Sequence, residues 1–396
     1  MNIGLRGCLY VATVTLAMPA CAETGLTSAV RELPDYGQGL SGDGKTVVGS
    51  AKRGKRVDAW KWTAREGTRF LPMPKDASSA GASDVSDDGT VIVGTAQIKG
   101  KSWVCVWRGR GAAKVICPDS TTSGEVAVSG DGKWVVGGSN GAFKWSEKTG
   151  IIKMRPSLAA RPYSGATCVS KSGTVLAGYS DVGPKRPGLR AGPSTGIRIE
   201  DGMLGDTVWI GGLPPVRIGR PNGLYTTQIS GCSADGRVFC GFGNTKQGDK
   251  PFTWSISGGF RWLPCLKWVG YGEAYGISGN GRTVFGAALV FKQVKTAGDK
   301  RDVFWAWLVF KQVKTAGGKK VMYTNSVSIP WLWREGMGTV RLVEYLQVHG
   351  VLLNGWKPDW IWAISNDGRI LVCGGRNRKG REGSFIVTLP SGESRA

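Results

Sequence analysis

The chain has 396 residues, a formal net charge of +23 and 41% hydrophobic residues, enough apolar material for a continuous core. One histidine and no CxxC pair argue against a metal site, and 62 glycines with 17 tryptophans and little helical periodicity point to an all-β fold rich in tight turns.

The first element reads as an export signal. Residues 1–6 carry one positive charge, residues 7–20 are mostly small or apolar, and Ala20-Cys21-Ala22 supplies small residues at both cleavage positions, so cleavage is expected after Ala22. Acylation of Cys21 is the competing expectation, and Pro19 fits that motif poorly. The apolar stretch is too short to span a bilayer, and no later stretch is long and uncharged enough, so no transmembrane segment is expected. Removing the signal removes Arg6 and leaves a net charge of +22. For an exported protein such a charge favours lipopolysaccharide, acidic polysaccharide or a sulfated host glycan as partner, and disfavours nucleic acid. Seven cysteines remain after Ala22, an odd number with no repeating spacing; they read as small buried residues.

From Leu40 onward one pattern is written seven times, most clearly as Val128-Ser129-Gly130-Asp131-Gly132-Lys133-Trp134-Val135-Val136-Gly137. It reads as strand, tight turn, strand. Its turn glycines, Gly44, Gly89, Gly132, Gly173, Gly236, Gly281 and Gly368, are spaced 45, 43, 41, 63, 45 and 87 residues apart. Four of those values lie near the roughly 40–45 residues of a four-stranded propeller blade. An alternating aromatic strand follows each turn, as in Ala59-Trp60-Lys61-Trp62 and Pro251-Phe252-Thr253-Trp254, and then a short glycine-led strand such as residues 259–263. Residues 25–33 resemble that last strand with nothing before it, whereas Ser384-Phe385-Ile386-Val387 resembles the aromatic strand with nothing after it. Pairing the two completes a seventh blade and removes both exposed edges. The expected fold is therefore a seven-bladed β-propeller over residues 23–396. Two insertions, about 181–212 and 288–325, interrupt it, the second containing a direct duplication of residues 289–298 at 308–317. Leu342, Tyr345, Leu346, His349 and Leu353 lie at helical spacing and predict one short amphipathic helix.

These units resemble the HAF repeat, or "probable extracellular repeat", family of exported bacterial proteins. The residues that carry the likeness are the Val-Ser-x-Asp-Gly-x-x-Val-Val-Gly core, the aromatic-x-Trp strand, Gly336-Met337, Leu352-Leu353-Asn354-Gly355-Trp356 and the closing Phe385-Ile386-Val387-Thr388-Leu389-Pro390. The resemblance implies a secreted or cell-surface propeller, in many members the passenger of an autotransporter, and brings no catalytic residues with it. After the last repeat no run of alternating ten-residue strands follows to build a membrane barrel.

Among candidate sites, residues 39–46 match the phosphate-loop pattern by letter, but the motif leads into a strand and not a helix, which removes its chemistry. The turn acids Asp43, Asp88, Asp131, Asp235 and Asp367 are expected to cap their own turns, with Ser172 and Asn280 doing the same; single carboxylates on separate blades do not converge on calcium. Trp62, Trp107, Trp145, Trp254 and Trp333 repeat in register and belong to the core, whereas Trp209, Trp268, Trp305, Trp356 and Trp360 fall outside it and are candidates for exposed stacking on sugars. The remaining binding candidates are the insertion cations: Lys185, Arg186 and Arg190 in the first, and Lys292, Lys295, Arg301, Lys311 and Lys314 in the second. No catalytic group and no cofactor is indicated. The expected function is an exported, non-enzymatic binding or adhesion module for an anionic glycan or surface partner. The alternative is an exported polysaccharide lyase or hydrolase on the same scaffold.

Overall fold

The computed structural model describes residues 30–118, 126–155, 164–181, 204–219, 224, 226–267, 269–293, 314–316, 319–321 and 323–390. Seven four-stranded antiparallel sheets each correspond to one sequence repeat, and a separate pair joins Lys314–Ala316 to Lys319–Val321. In the second blade the strands run outward in chain order: Ala77–Val85, Val91–Ile98, Lys101–Arg108 and Lys114–Pro118.

The turn between first and second strands is held by its serine. Ser86 Oγ donates to Asp88 Oδ1 at 2.7 Å and accepts the Val91 N–H at 3.0 Å. Asp88 Oδ1 accepts the Thr90 N–H, while Gly89 takes φ +73°, which a side chain would resist. The same arrangement recurs at Asp43, Asp131, Asp235 and Asp367 and, with an amide oxygen, at Asn280. Ser172 pairs with Thr174 instead. Burial raises the Asp88, Asp131 and Asp235 carboxyls, but the serine hydroxyl and the turn N–H outweigh it and hold all three below the ordinary carboxylate range.

The seven turns are tied into a closed ring by backbone hydrogen bonds. Asp43 N–H donates to the Asp87 carbonyl, Asp87 to Gly130, Asp131 to Lys171, Lys171 to Ala234, Ala234 to Gly279, Asn280 to Asn366 and Asn366 to Gly42. Several cations of the aromatic strands are also structural. Lys61, Arg108, Lys144 and Arg334 each donate to the turn-glycine carbonyl of the next blade, at Gly89, Gly132, Gly173 and Gly368. Part of the positive charge is therefore spent on joining blades.

The seventh blade is made from both chain ends. Val30–Leu33 lies outermost and pairs antiparallel with Glu382–Thr388, Val30 opposite Val387 and Leu33 opposite Ser384. Ser384 Oγ also accepts the Gly37 N–H at 2.9 Å, tying the last strand to the start of the first blade. The helix Leu342–Val348 buries Leu342, Tyr345 and Leu346 between the sixth and seventh blades, in one cluster with Phe285, Leu332 and Phe385.

The structure moves one boundary. Leu204–Ile210 is the third strand of the fourth blade and not the end of an insertion, because Trp209 stands opposite Leu176 as Trp107 stands opposite Ile92 and Trp254 opposite Phe239. The interruption thus ends before Leu204. In the sixth blade, Thr283–Gln293 and Tyr323–Arg334 pair along their length from Thr283 opposite Arg334 to Gln293 opposite Tyr323, an extended hairpin around the second interruption.

Candidate functional site

The propeller axis has two unlike ends. At the turn end, a cavity of about 130 Å³ is walled by the residue before each turn serine (Leu40, Val85, Val128, Val169, Cys232, Ile277, Ile364) and floored by the residue after it. Most floor positions are small, and this leaves room for the others. A Cβ built on Gly42 would overlap both Asn366 and Asp87, and one on Gly130 would stand 2.6 Å from Asp87 Oδ2. Lys171 Nζ reaches Asp87 Oδ2 at 3.2 Å from two blades away. These side chains stopper the axis, and the cavity behind them is smaller than the roughly 300–1,000 Å³ typical of small-molecule sites.

Asp84 lies in the wall of this cavity. Its carboxylate accepts the Val85 N–H at 2.8 Å and, across the blade boundary, the Val128 N–H at 2.9 Å. Burial nevertheless pushes its pKa up from 3.8 to about 6. As pH rises from about 4, the unfolded chain releases this proton first, so the stability that Asp84 contributes falls between about pH 4 and 6 and is constant above. At about 1.4 kcal/mol per pH unit the fall amounts to roughly 3 kcal/mol. The turn acids act in the opposite sense below pH 4, which places maximum stability in the mildly acid range. Asp84→Asn is expected to flatten the fall between pH 4 and 6 in urea unfolding, and an unchanged slope would contradict the assignment.

The opposite end is where the first strands begin and where the second and third strands are joined. Glu273, first residue of the inner strand Glu273–Ile277, is buried, with Asp249 and Tyr275 near enough to shift its carboxyl. Burial first and the neighbouring Asp249 charge second raise Glu273 to about 7, and burial together with Glu273 raises the Tyr275 hydroxyl. Beside them, Trp360 lies 5.9 Å from Tyr275 and stacks on Trp362 at 6.2 Å, with Trp362 41% exposed. A buried carboxyl raised to about 7 at one end of an aromatic row that ends in an exposed indole is an arrangement suited to sugar chemistry.

The predicted site residues are placed as follows. Lys185, Arg186, Arg190, Lys295, Arg301 and Lys311, with Trp268 and Trp305, lie outside the described residues. Lys292 is on the strand Thr283–Gln293 and Lys314 on Lys314–Ala316. Trp209 is corrected: it is 1% exposed and donates its indole N–H to the Arg155 carbonyl at 2.7 Å, as Trp107 does to Pro72, so it holds two blades together and presents no stacking face. Trp356 is likewise buried, 4.7 Å from Phe385. Trp360 is half-buried, whereas Trp362 and, on the strand Gly259–Trp262, Trp262 are exposed. The cysteines from Cys105 to Cys373 are all buried or half-buried. Among the described residues no group of three His, Cys, Asp or Glu side chains is placed to hold a metal, and no helix is long and apolar enough to cross a membrane.

No protein-family model matches the chain, and no curated protein matches it. Solved structures do. The β-propeller domain of the Trilobed protease from Pyrococcus furiosus has a TM-score of 0.52 at 12% identity over 92% of this chain and 97% of that one. An oligogalacturonate lyase from Vibrio parahaemolyticus has a TM-score of 0.51 at 9% identity over 92% and 93%, and an oligogalacturonate lyase in complex with manganese has 0.52 at 9% over 92% and 91%. At such identities the likeness is one of fold. The protease propeller is described as having an open velcro topology, whereas here the two chain ends share a sheet.

Proposed function

We propose that this protein is an exported, non-enzymatic binding module that recognises an anionic glycan, either an acidic polysaccharide, a lipopolysaccharide or a host-surface glycan. Residues 1–22 read as an export signal, and the repeats resemble the exported HAF repeat proteins. The observation that carries the reading is the difference between the two faces. The turn face is stoppered by Asp87, Lys171 and Asn366, while both long interruptions join second to third strands and so leave from the opposite face. Their sequences are strongly basic, with Lys185, Arg186 and Arg190 in one and Lys295, Arg301 and Lys311 in the other.

The expected result is binding of the intact protein to heparin and to lipopolysaccharide at low salt, weakening steadily as salt is raised, with no binding to a neutral glucan. Indifference to both polyanions at low ionic strength would overturn the reading. The second reading, an enzyme acting on an acidic polysaccharide, is favoured by buried Glu273, with Asp249 near it, at one end of an aromatic row that runs through Tyr275 and Trp360 to the exposed Trp362. Shortening of polygalacturonate chains in the same incubation would select it.

A further inference from the structure

Three neighbouring blades present the same short basic element on the open face. The hairpin between second and third strands turns at Arg53-Gly54-Lys55 in the first blade, Lys99-Gly100-Lys101 in the second and Lys379-Gly380-Arg381 in the seventh. Each central glycine has positive φ, +61°, +74° and +73°, and a Cβ placed on any of them would meet nothing within 4 Å, so the tips stand clear of the fold. The blades are consecutive around the ring: strand Thr46–Arg53 contacts Ala77–Val85 on one side, and Tyr36–Leu40 contacts Ile370–Arg376 on the other.

Much of this charge is uncompensated. Arg53 and Arg56 share Asp58, and Arg376 holds Glu382. Lys55, Lys99, Lys101, Lys379 and Arg381 are exposed, and no carboxylate among the described residues pairs with them. On the turn face Lys45, Lys133 and Arg237 each lie against the aspartate of their own turn, and Arg282 and Arg369 are the exposed cations at that position with no carboxylate partner among the described residues. One exposed lysine holds an anion weakly. Three separated tips on one arc, carrying one, two and two uncompensated cations, suit a partner that repeats its charge along its length, where each contact raises the effective concentration for the next. The tips carry no aromatic residue for stacking bases.

We infer that the hairpin tips of the seventh, first and second blades form a docking arc for a linear, sulfated or carboxylated polysaccharide. This rests on the binding-module reading and names the residues that serve it. The probes are heparin and polygalacturonate, with single-stranded DNA alongside, all titrated against salt. A variant combining Lys55→Gln, Lys99→Gln, Lys101→Gln, Lys379→Gln and Arg381→Gln is expected to bind the glycans at least tenfold more weakly at low salt, with a shallower salt dependence. Its unfolding temperature is expected to match that of the parent, since these side chains touch nothing that holds the fold. The pair Lys99→Glu with Lys101→Glu, confined to one tip, gives the same direction of change if the larger variant misfolds. Lys45→Gln with Lys133→Gln separates the arc from net charge, and is expected to leave at least half of the parent affinity. Retained binding in the tip variants, or loss only when the insertion cations are replaced, overturns the arc while the binding-module reading stands. Failure of the parent to bind heparin or polygalacturonate overturns the arc, and failure to bind lipopolysaccharide as well overturns both. DNA bound as tightly as the glycans, with the same dependence on the tips, overturns the choice of partner.

Discussion

Gly94→Ala is expected to destabilise the protein by at least about 3 kcal/mol, at the upper end of what overpacking costs. Gly94 lies in the middle of the second strand of the second blade, Val91–Ile98, and has no positive φ, so conformational freedom is not the reason for glycine there. Space is the reason. A Cβ on Gly94 would overlap the Gly81 carbonyl oxygen and stand 2.8 Å from the Ala82 Cα, both backbone atoms of the inner strand, and neither can rotate away. The same overlap would arise at Gly49, Gly178, Gly241, Gly286 and Gly375, against inner-strand carbonyls in each case. The bulge of the inner strand beside these positions draws the two backbones together, as in the shift between Ala82 and Asp84. Gly100→Ala is the comparison: its φ of +74° makes alanine uncomfortable, but the site is open, so a loss of about 1 kcal/mol is expected. Urea unfolding of the two variants checks the order. Equal losses would mean that the second glycine of the repeat is chosen for its dihedrals and not for close approach.

Much of this architecture was legible because it is written several times. The serine, acid and glycine of the turn identify one another at a fixed spacing, and their chemistry is local, so the hydrogen bonds at Ser86, Asp88 and Gly89 follow from the letters. The sharing of a sheet by the two ends was equally readable, since residues 25–33 and Ser384 to Val387 are fragments that complete each other. Trp209 was misplaced because the interruption before it hid its register; the signal that identifies it is the apolar pair Val208-Trp209 standing where Val106-Trp107 stands in another unit. The basic tips Arg53-Gly54-Lys55, Lys99-Gly100-Lys101 and Lys379-Gly380-Arg381 lie far apart in the chain, and it is ring closure that makes their blades consecutive. The meeting of Glu273 with Asp249 had no sequence signal at all, as it depends on how adjacent blades settle. Nor did the letters reveal that Lys61, Arg108, Lys144 and Arg334 are committed to neighbouring turns.

The seventh blade is completed by one short strand. Val30 and Leu33 are buried at 9% and 6% exposure, and Val30–Leu33 covers the edge of Glu382–Thr388, which contributes the fully buried Phe385 and Val387. Losing the two side chains forfeits roughly 2 kcal/mol each, and the uncovered edge and the loss of ring closure add to that. The decisive comparison is between a chain beginning at Val30 and one beginning at Asp35, followed by thermal and urea unfolding. A ring closed by its two ends predicts parent-like unfolding for the first and a loss of at least about 5 kcal/mol for the second. Superimposable unfolding curves for the two chains would contradict it.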